Sequence, residues 1–299
     1  MSNRNFREML TSRQERVNSL LCVGLDPLVE KVPHFVWLKC QTVEDAFSTW
    51  MIEIVDATAE FASMFKPQRA HWEAIPNGER ALRRVVQHIH LRYPDIPVFL
   101  DCKRGDIDRT QRQYREAHFT LDYADGMNYN GYMGKSTLSS LIDGNHTGRA
   151  LVGLGRTSNP EAWEIQDRIV HDPYIPDLRI WELMVRKIHE WSKDFGVLEN
   201  AGVVMGAAHK HPNDPGKIYS EHLASARKLV GNSLWFLIPG IGKQGGAIEE
   251  TMKASYLGPG SIAINSSSEI NFADDGYNFA EASGIVAKRT RDEINRFRA

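Results

Sequence analysis

Short apolar runs alternate with longer amphipathic stretches along this chain, and polar or Gly-rich turns separate them. The runs are LLCVGLDP (20–27), FASMFKP (61–67), PVFLDCK (97–103), ADGMNYN (124–130), ALVGLGRT (150–157), GVVMGAA (202–208), WFLIPGI (235–241) and SIAINSS (261–267). Most are brief and rich in Val, Ile, Leu, Phe and Gly, as strands buried on both faces of a parallel sheet are. The intervening stretches include TVEDAFSTWMIEIVDATAEF after the first run, GERALRRVVQHIHLRY after the second and SEHLASARKLVG before the seventh. They carry apolar residues at helical spacing. A charged helix running to Arg298 closes the chain.

Eight strand–helix units in 299 residues predict an α/β fold, a (β/α)8 TIM barrel forming one domain over 1–299. A polar helix ahead of the first strand is expected to cap the barrel's lower end. Segment 158–200 is long for one connection and predicts extra helices or a lid. An open doubly wound sheet would satisfy the same alternation. The barrel is favoured because the runs end in chemically pointed residues: Asp26, Lys66, Asp101 with Lys103, Ser158, the 240–246 loop and Ser266 to Ser268. Strand C-termini are where barrel enzymes build their sites.

Composition narrows the class. With 42% hydrophobic and 25% charged residues the chain reads as an ordinary globular protein, and a formal net charge of −2 offers no basic excess for a nucleic-acid backbone. Cys22, Cys40 and Cys102 cannot all pair within one chain, and none has CxxC spacing, so a reducing cytoplasm is expected. The leading MSNRNFREMLTSRQERVNSLL lacks the apolar centre of a signal peptide. No stretch approaches the ~18 apolar residues of a membrane helix.

The charged cluster FLDCKRGD places Asp101 and Lys103 two apart at a strand end, a spacing that puts both side chains on one face. Asp106 lies beyond the strand, where a turn can carry it elsewhere. Such a pair is ordinarily a structural salt bridge, but the polar ends of the other strands weaken that reading. An ammonium held among carboxylates suits a reaction that builds negative charge on carbon, as decarboxylation does. The same lysine can then deliver the proton. A carboxylate facing the departing CO2 would disfavour the bound substrate relative to its transition state.

Other polar residues carry less. His88 and His90, two apart on a helix, face different directions and make poor ligands for one metal. His209 and His211 follow the sixth strand and read as loop histidines. Cys102 should point into the helix layer as a structural thiol. GIGKQGG lacks the GxxxxGK[ST] spacing of a nucleotide-binding loop, yet makes positional sense as a phosphate clamp after strand seven.

Taken together, DCKRGDIDRT (101–110) resembles the Asp-x-Lys-x-x-Asp-Ile-x-x-Thr signature of orotidine 5'-monophosphate decarboxylases. Further segments are similar to the longer bacterial branch of that family: LCVGLDP (21–27), FKPQRAHWEA (65–74), GRTSNPEAWEIQ (155–166), VVMGAA (203–208) and PGIGKQGG (239–246). They run from the first strand to the last and cover most of the chain. The resemblance implies a cofactor-free, metal-free lyase converting orotidine 5'-monophosphate to uridine 5'-monophosphate. It implies a Lys66, Asp101, Lys103, Asp106 network with Lys103 as proton donor. Asp26 would contact the ribose, Ser158 the pyrimidine edge and Gln244 the phosphate and base, while Gly245 and Gly246 offer backbone N–H groups. It also implies a homodimer in which Asp106 and Thr110 reach into the neighbouring site.

One departure stands out. The family's eighth strand ends Asn-Ser-Ser-Arg-Gly, whose arginine grips the 5'-phosphate, whereas this chain reads Asn265-Ser266-Ser267-Ser268-Glu269. A bidentate guanidinium is a strong phosphate ligand. Lys243, inside the phosphate loop, is the expected replacement, with Arg156 and Lys135 as alternatives. YNGYMGK (129–135) also differs from the family's Asn-Pro-Tyr-Met-Gly-Asp. Two competing readings are a Mg2+-dependent sugar-phosphate lyase or aldolase, whose activity EDTA would abolish, and a degenerate barrel that binds a phosphorylated ligand without catalysis.

Overall fold

The computed structural model describes residues 4–211, 214–241 and 247–298. Eight parallel strands lie in the eight apolar runs: β1 (Leu21–Leu25), β2 (Met64–Pro67), β3 (Phe99–Arg104), β4 (Gly126–Tyr129), β5 (Ala150–Leu154), β6 (Ala201–Val204), β7 (Trp235–Ile238) and β8 (Ile262–Ser266). They neighbour one another in the order β2-β1-β8-β7-β6-β5-β4-β3. Two parallel bridges, Phe65 with Val98 and Gln68 with Asp101, bring the ends together. This is the ring order of a (β/α)8 barrel; a doubly wound sheet would reverse its strand order at an interior switch point.

Strands such as β1 and β7 are buried at every position, because one face meets the barrel interior and the other the helices. The lower interior is filled by Cys22, Met64, Phe99, Val152, Trp235 and Ala263. The N-terminal helix Phe6–Arg16 seals it from below. Phe6 stacks on Trp235 at 5.2 Å between ring centroids and meets Phe99 edge-on at 6.0 Å. This is the predicted cap, polar outside and anchored by two apolar residues, Phe6 and Leu10. A side chain at Gly202 on β6 would put its Cβ 2.7 Å from the Trp235 ring nitrogen, so the indole occupies space that only glycine leaves.

Helices Val43–Thr58 and Gly78–Arg92 cover the outside. The first buries Phe47, Trp50, Met51, Ile54 and Val55, and the second Leu82, Val85, Val86 and Ile89. Their three- and four-residue spacing is what the sequence pattern required. Each such side chain contributes about 1.5–3 kcal/mol of apolar burial.

The long 158–200 segment holds a short helix Ala162–Ile165, an antiparallel hairpin Ile169–Asp172 with Ile175–Arg179, and the helix Ile180–Asp194. A second hairpin, His209–His211 with Asp214–Tyr219, follows β6, where loop histidines alone were expected. Its strands lack an apolar alternation long enough to read from sequence.

Candidate active site

At the C-terminal ends of the strands lies a cavity of about 270 Å³. Asp26 reaches it from the end of β1, Lys66 and Gln68 from β2, and Asp101 and Lys103 from β3. Thr157 and Ser158 enter after β5, and Asn265 to Glu269 form the β8 side.

The charged groups form a continuous array. Asp101 Oδ2 accepts from Lys66 Nζ at 3.1 Å, and Oδ1 accepts from Lys103 Nζ at 2.6 Å. Lys66 and Asp101 are 3% and 7% exposed, whereas the Lys103 side chain is 45% exposed toward the cavity. Burial alone would raise the Asp101 carboxyl, but Lys66, Lys103 and Asn128 overcome it and hold the group well below the usual carboxylate range. Lys66 behaves conversely: burial would lower it, and Asp101 and Asp26 keep it above the ordinary lysine value. The result is a fixed Lys–Asp–Lys line with its outermost ammonium facing the cavity. Asp26 completes that side; its backbone N–H is held by Asn271 Oδ1 at 2.8 Å, and its buried Oδ1 has no protein donor among the described residues. An orphaned buried carboxylate oxygen is an acceptor prepared for a ligand hydroxyl.

Asp101 and Lys103 meet, though not by the regular alternation expected from their spacing. Pairing between β3 and β4 shifts register between Leu100 and Arg104, and Lys103 adopts a left-handed φ of 45°. Such a backbone costs on the order of 1–3 kcal/mol and persists only where its surroundings impose it. The side chain of Asn128 on β4 does so, accepting from the N–H groups of both Cys102 and Lys103 and donating to Asp101. Asn128 was missed in the sequence; its only signal was a polar side chain in the middle of an otherwise apolar strand. Cys102 packs into the layer between barrel and helices as expected, and burial pushes its thiol up to about 12.

Other predicted residues separate. Ser158 lines the cavity; Asp106 and Thr110 do not. Asp106 Oδ1 accepts from the N–H of Ile107 at 2.7 Å, and Thr110 is exposed. Ser268 does occupy the β8 side of the cavity, and among the described lining residues the only cations are Lys66 and Lys103. Arg156 is 5% exposed and committed to Asp167, and Lys135 is exposed and away from the cavity wall. Lys243, Gln244, Gly245 and Gly246 lie outside the described residues. His88 and His90 bond different carboxylates, Asp56 and Asp125. Among the described residues Glu116, Asp143 and His146 approach closely enough to share a cation. Arg115 already pairs with both of those carboxylates, at 2.9 and 3.1 Å.

A closed barrel with a lysine–carboxylate–lysine line at its catalytic rim defines an enzyme equipped to stabilise developing negative charge and to return a proton. The chain belongs to the orotidine 5'-phosphate decarboxylase / HUMPS family, whose model matches residues 19–282. It is 35% identical over 98% of its length to the whole of an orotidine 5'-phosphate decarboxylase of Azoarcus sp. (strain BH72). It is 36% identical to the Cupriavidus necator protein of that name, covering 98% of each chain. Among solved structures, Leishmania donovani OMP decarboxylase superposes with a TM-score of 0.75 at 28% identity, over 98% of this chain and 99% of that one.

Proposed function

We propose that this chain converts orotidine 5'-monophosphate to uridine 5'-monophosphate, with Lys103 as the proton donor. The observation that carries the reading is the Lys66–Asp101–Lys103 array at 3.1 and 2.6 Å. Loss of CO2 leaves an electron pair on a pyrimidine ring carbon. The Lys103 ammonium opposes that charge as it forms, and in a low-dielectric site this interaction is much stronger than in water. The bond to carbon breaks toward the ring, CO2 departs, and the proton on Lys103 replaces it. Asp101, held ionised by Lys66, fixes the ammonium without taking its proton, and its negative charge disfavours the substrate carboxylate more than the departing neutral CO2. Asp26 accepts from the ribose and Ser158 contacts the base edge. The membership and names reported above support the substrate; the described geometry supports these roles.

The site is completed by a second copy of the chain, which supplies Asp106 and Thr110. Support comes from their absence from the cavity wall of their own chain and from exposed apolar side chains at the same strand ends, Ile107 after β3 and Tyr132 and Met133 after β4. For the 5'-phosphate, Lys243 supplies the cation with Gln244, Gly245 and Gly246, since Arg156 and Lys135 are otherwise placed. The three cysteines are unpaired and no helix among the described residues is long and apolar enough to cross a membrane, which supports a cytoplasmic setting. The test is turnover of orotidine 5'-monophosphate by purified chain, followed as loss of substrate absorbance. Folded, dimeric protein that leaves the substrate unchanged overturns the reading; activity that persists in EDTA separates it from a Mg2+-dependent lyase.

A further inference from the structure

Asn128 stands in the middle of β4, fully buried, and its single amide touches three atoms of the catalytic strand. Nδ2 donates to Asp101 Oδ1 at 2.6 Å, the same oxygen that accepts from Lys103 Nζ. Asn128 Oδ1 accepts from the N–H of Cys102 at 2.8 Å and from that of Lys103 at 2.6 Å. These two N–H groups fall where the β3–β4 ladder is interrupted, between the Leu100–Met127 and Arg104–Tyr129 pairs. With no strand carbonyl opposite them they need another acceptor, because unpaired buried N–H groups are costly.

We propose that Asn128 is a positioning residue for decarboxylation, whose carboxamide replaces the interrupted ladder beneath Lys103 and fixes the Asp101 carboxylate against the Lys103 ammonium. This rests on the function proposed above. The chemistry requires an amide. Two backbone donors converge on its oxygen while its nitrogen must donate, so a carboxylate would satisfy the backbone and repel Asp101. A neutral donor also steadies Asp101 Oδ1 without adding a third cation, beside Lys66 and Lys103, to compete with Lys103 for that oxygen. Lys103 keeps its left-handed backbone because its own N–H and that of Cys102 are tied to one side chain. Loss of that tie frees the ammonium to swing in a half-exposed setting, and misplacement of a reacting group by about 1 Å can cost ~100-fold in rate.

Two variants of the full-length protein test this, measured for kcat and KM with orotidine 5'-monophosphate, for uridine 5'-monophosphate affinity by calorimetry, and for the pH dependence of kcat. Asn128→Ala is expected to lower kcat by ~100-fold, with product affinity changed by less than about threefold. Asn128→Asp keeps the volume and the acceptor but sets a second carboxyl against Asp101. The titratable groups otherwise around Asp101, namely Lys66, Lys103, Cys22 and Cys102, with Asp26 acting on Lys66, are unchanged, so the acid limb of kcat should move up by about one pH unit or more. A folded variant with kcat within about threefold of the parent overturns the proposal. So does an equal loss in kcat and product affinity, or an Asn128→Asp acid limb that coincides with the parent's. If Asn128→Ala does not fold, Asn128→Asp decides. Parent protein inactive on the substrate removes both the function and this role; active parent beside equally active variants removes only the role of Asn128.

Discussion

Arg156 is paired with Asp167 through two parallel bonds of 2.9 Å, Nε to Oδ1 and Nη2 to Oδ2, with the guanidinium 5.3 Å from the centre of the Tyr219 ring. A cation held this way in the wall of the β5 loop has a structural partner already. Lys243 is therefore the cation we propose for the phosphate. We expect Lys243→Ala to raise KM by ~10–100-fold with kcat at saturation nearly unchanged, the pattern of lost uniform binding. Arg156→Ala should instead lower stability by about 2 kcal/mol, since it strands a partly buried carboxylate, and Lys135→Ala should alter neither. Steady-state kinetics and thermal unfolding check this; a larger KM effect at Arg156 than at Lys243 would reassign the grip.

The proposed shared site predicts complementation. Lys103→Ala and Asp106→Ala homodimers should each be inactive. After subunit exchange, half the dimers are mixed and each holds one intact site, so activity should return to about a quarter of the parent's. Proven exchange without recovery would remove Asp106 from the partner's site.

His222 predicts a pH dependence of stability. It is 1% exposed, its Nε2 bonds the carbonyl of Gly206 at 2.7 Å, and its Nδ1 is buried with no hydrogen-bond partner among the described residues. Burial pushes its pKa down to about 4, despite the Gly206 bond. The native state then holds this ring neutral while the unfolded chain takes up a proton below pH ~6.5. Stability must fall as pH falls from ~6.5 toward about 4, by about 2 kcal/mol at pH 5 and about 3 kcal/mol in full. Urea unfolding at pH 7.5 and 5 should show that loss in the parent and not in His222→Gln. Equal losses in both would sink the assignment.

Arg227 is a buried cation whose described partners are carbonyls: those of Ser255, Gly231, Leu234 and Ser261 at 2.7–3.0 Å. Its guanidinium lies 3.5 Å from the centre of the Phe236 ring. Arg227→Met keeps the apolar stem but removes the guanidinium bonds to four carbonyls, of which that of Ser261 retains a backbone donor, the N–H of Phe236, and should cost about 3 kcal/mol or more. Calorimetric Tm measures this, with kcat of the folded fraction unaffected; a Tm shift of less than about 2 °C would contradict it.

How far the sequence reached depends on the range of the interaction involved. The eight strands, the helices at 43–58 and 78–92, and the capping helix follow from local periodicity, which any one segment displays by itself. Asp26, Lys66, Asp101, Lys103 and Ser158 were legible because barrel strands end at one rim, so a polar strand end is a rim residue. Asn128 was not, since its value lies in a register shift between two strands. Arg156 was misleading for a related reason: its partner, Asp167, is eleven residues away across a loop whose path the pattern does not specify.

Sequence alone therefore determined the barrel, the chemistry at the end of β3 and the absence of arginine at Ser268, since each is a property of residue type and spacing along the chain. Tertiary structure decided which charges meet. It placed Lys66 and Lys103 on opposite oxygens of Asp101, set Asn128 beneath both the carboxylate and the strained turn, and committed Arg156 to Asp167. Those choices rest on ångström-scale distances between separate strands and loops, and only the closed, packed barrel sets them.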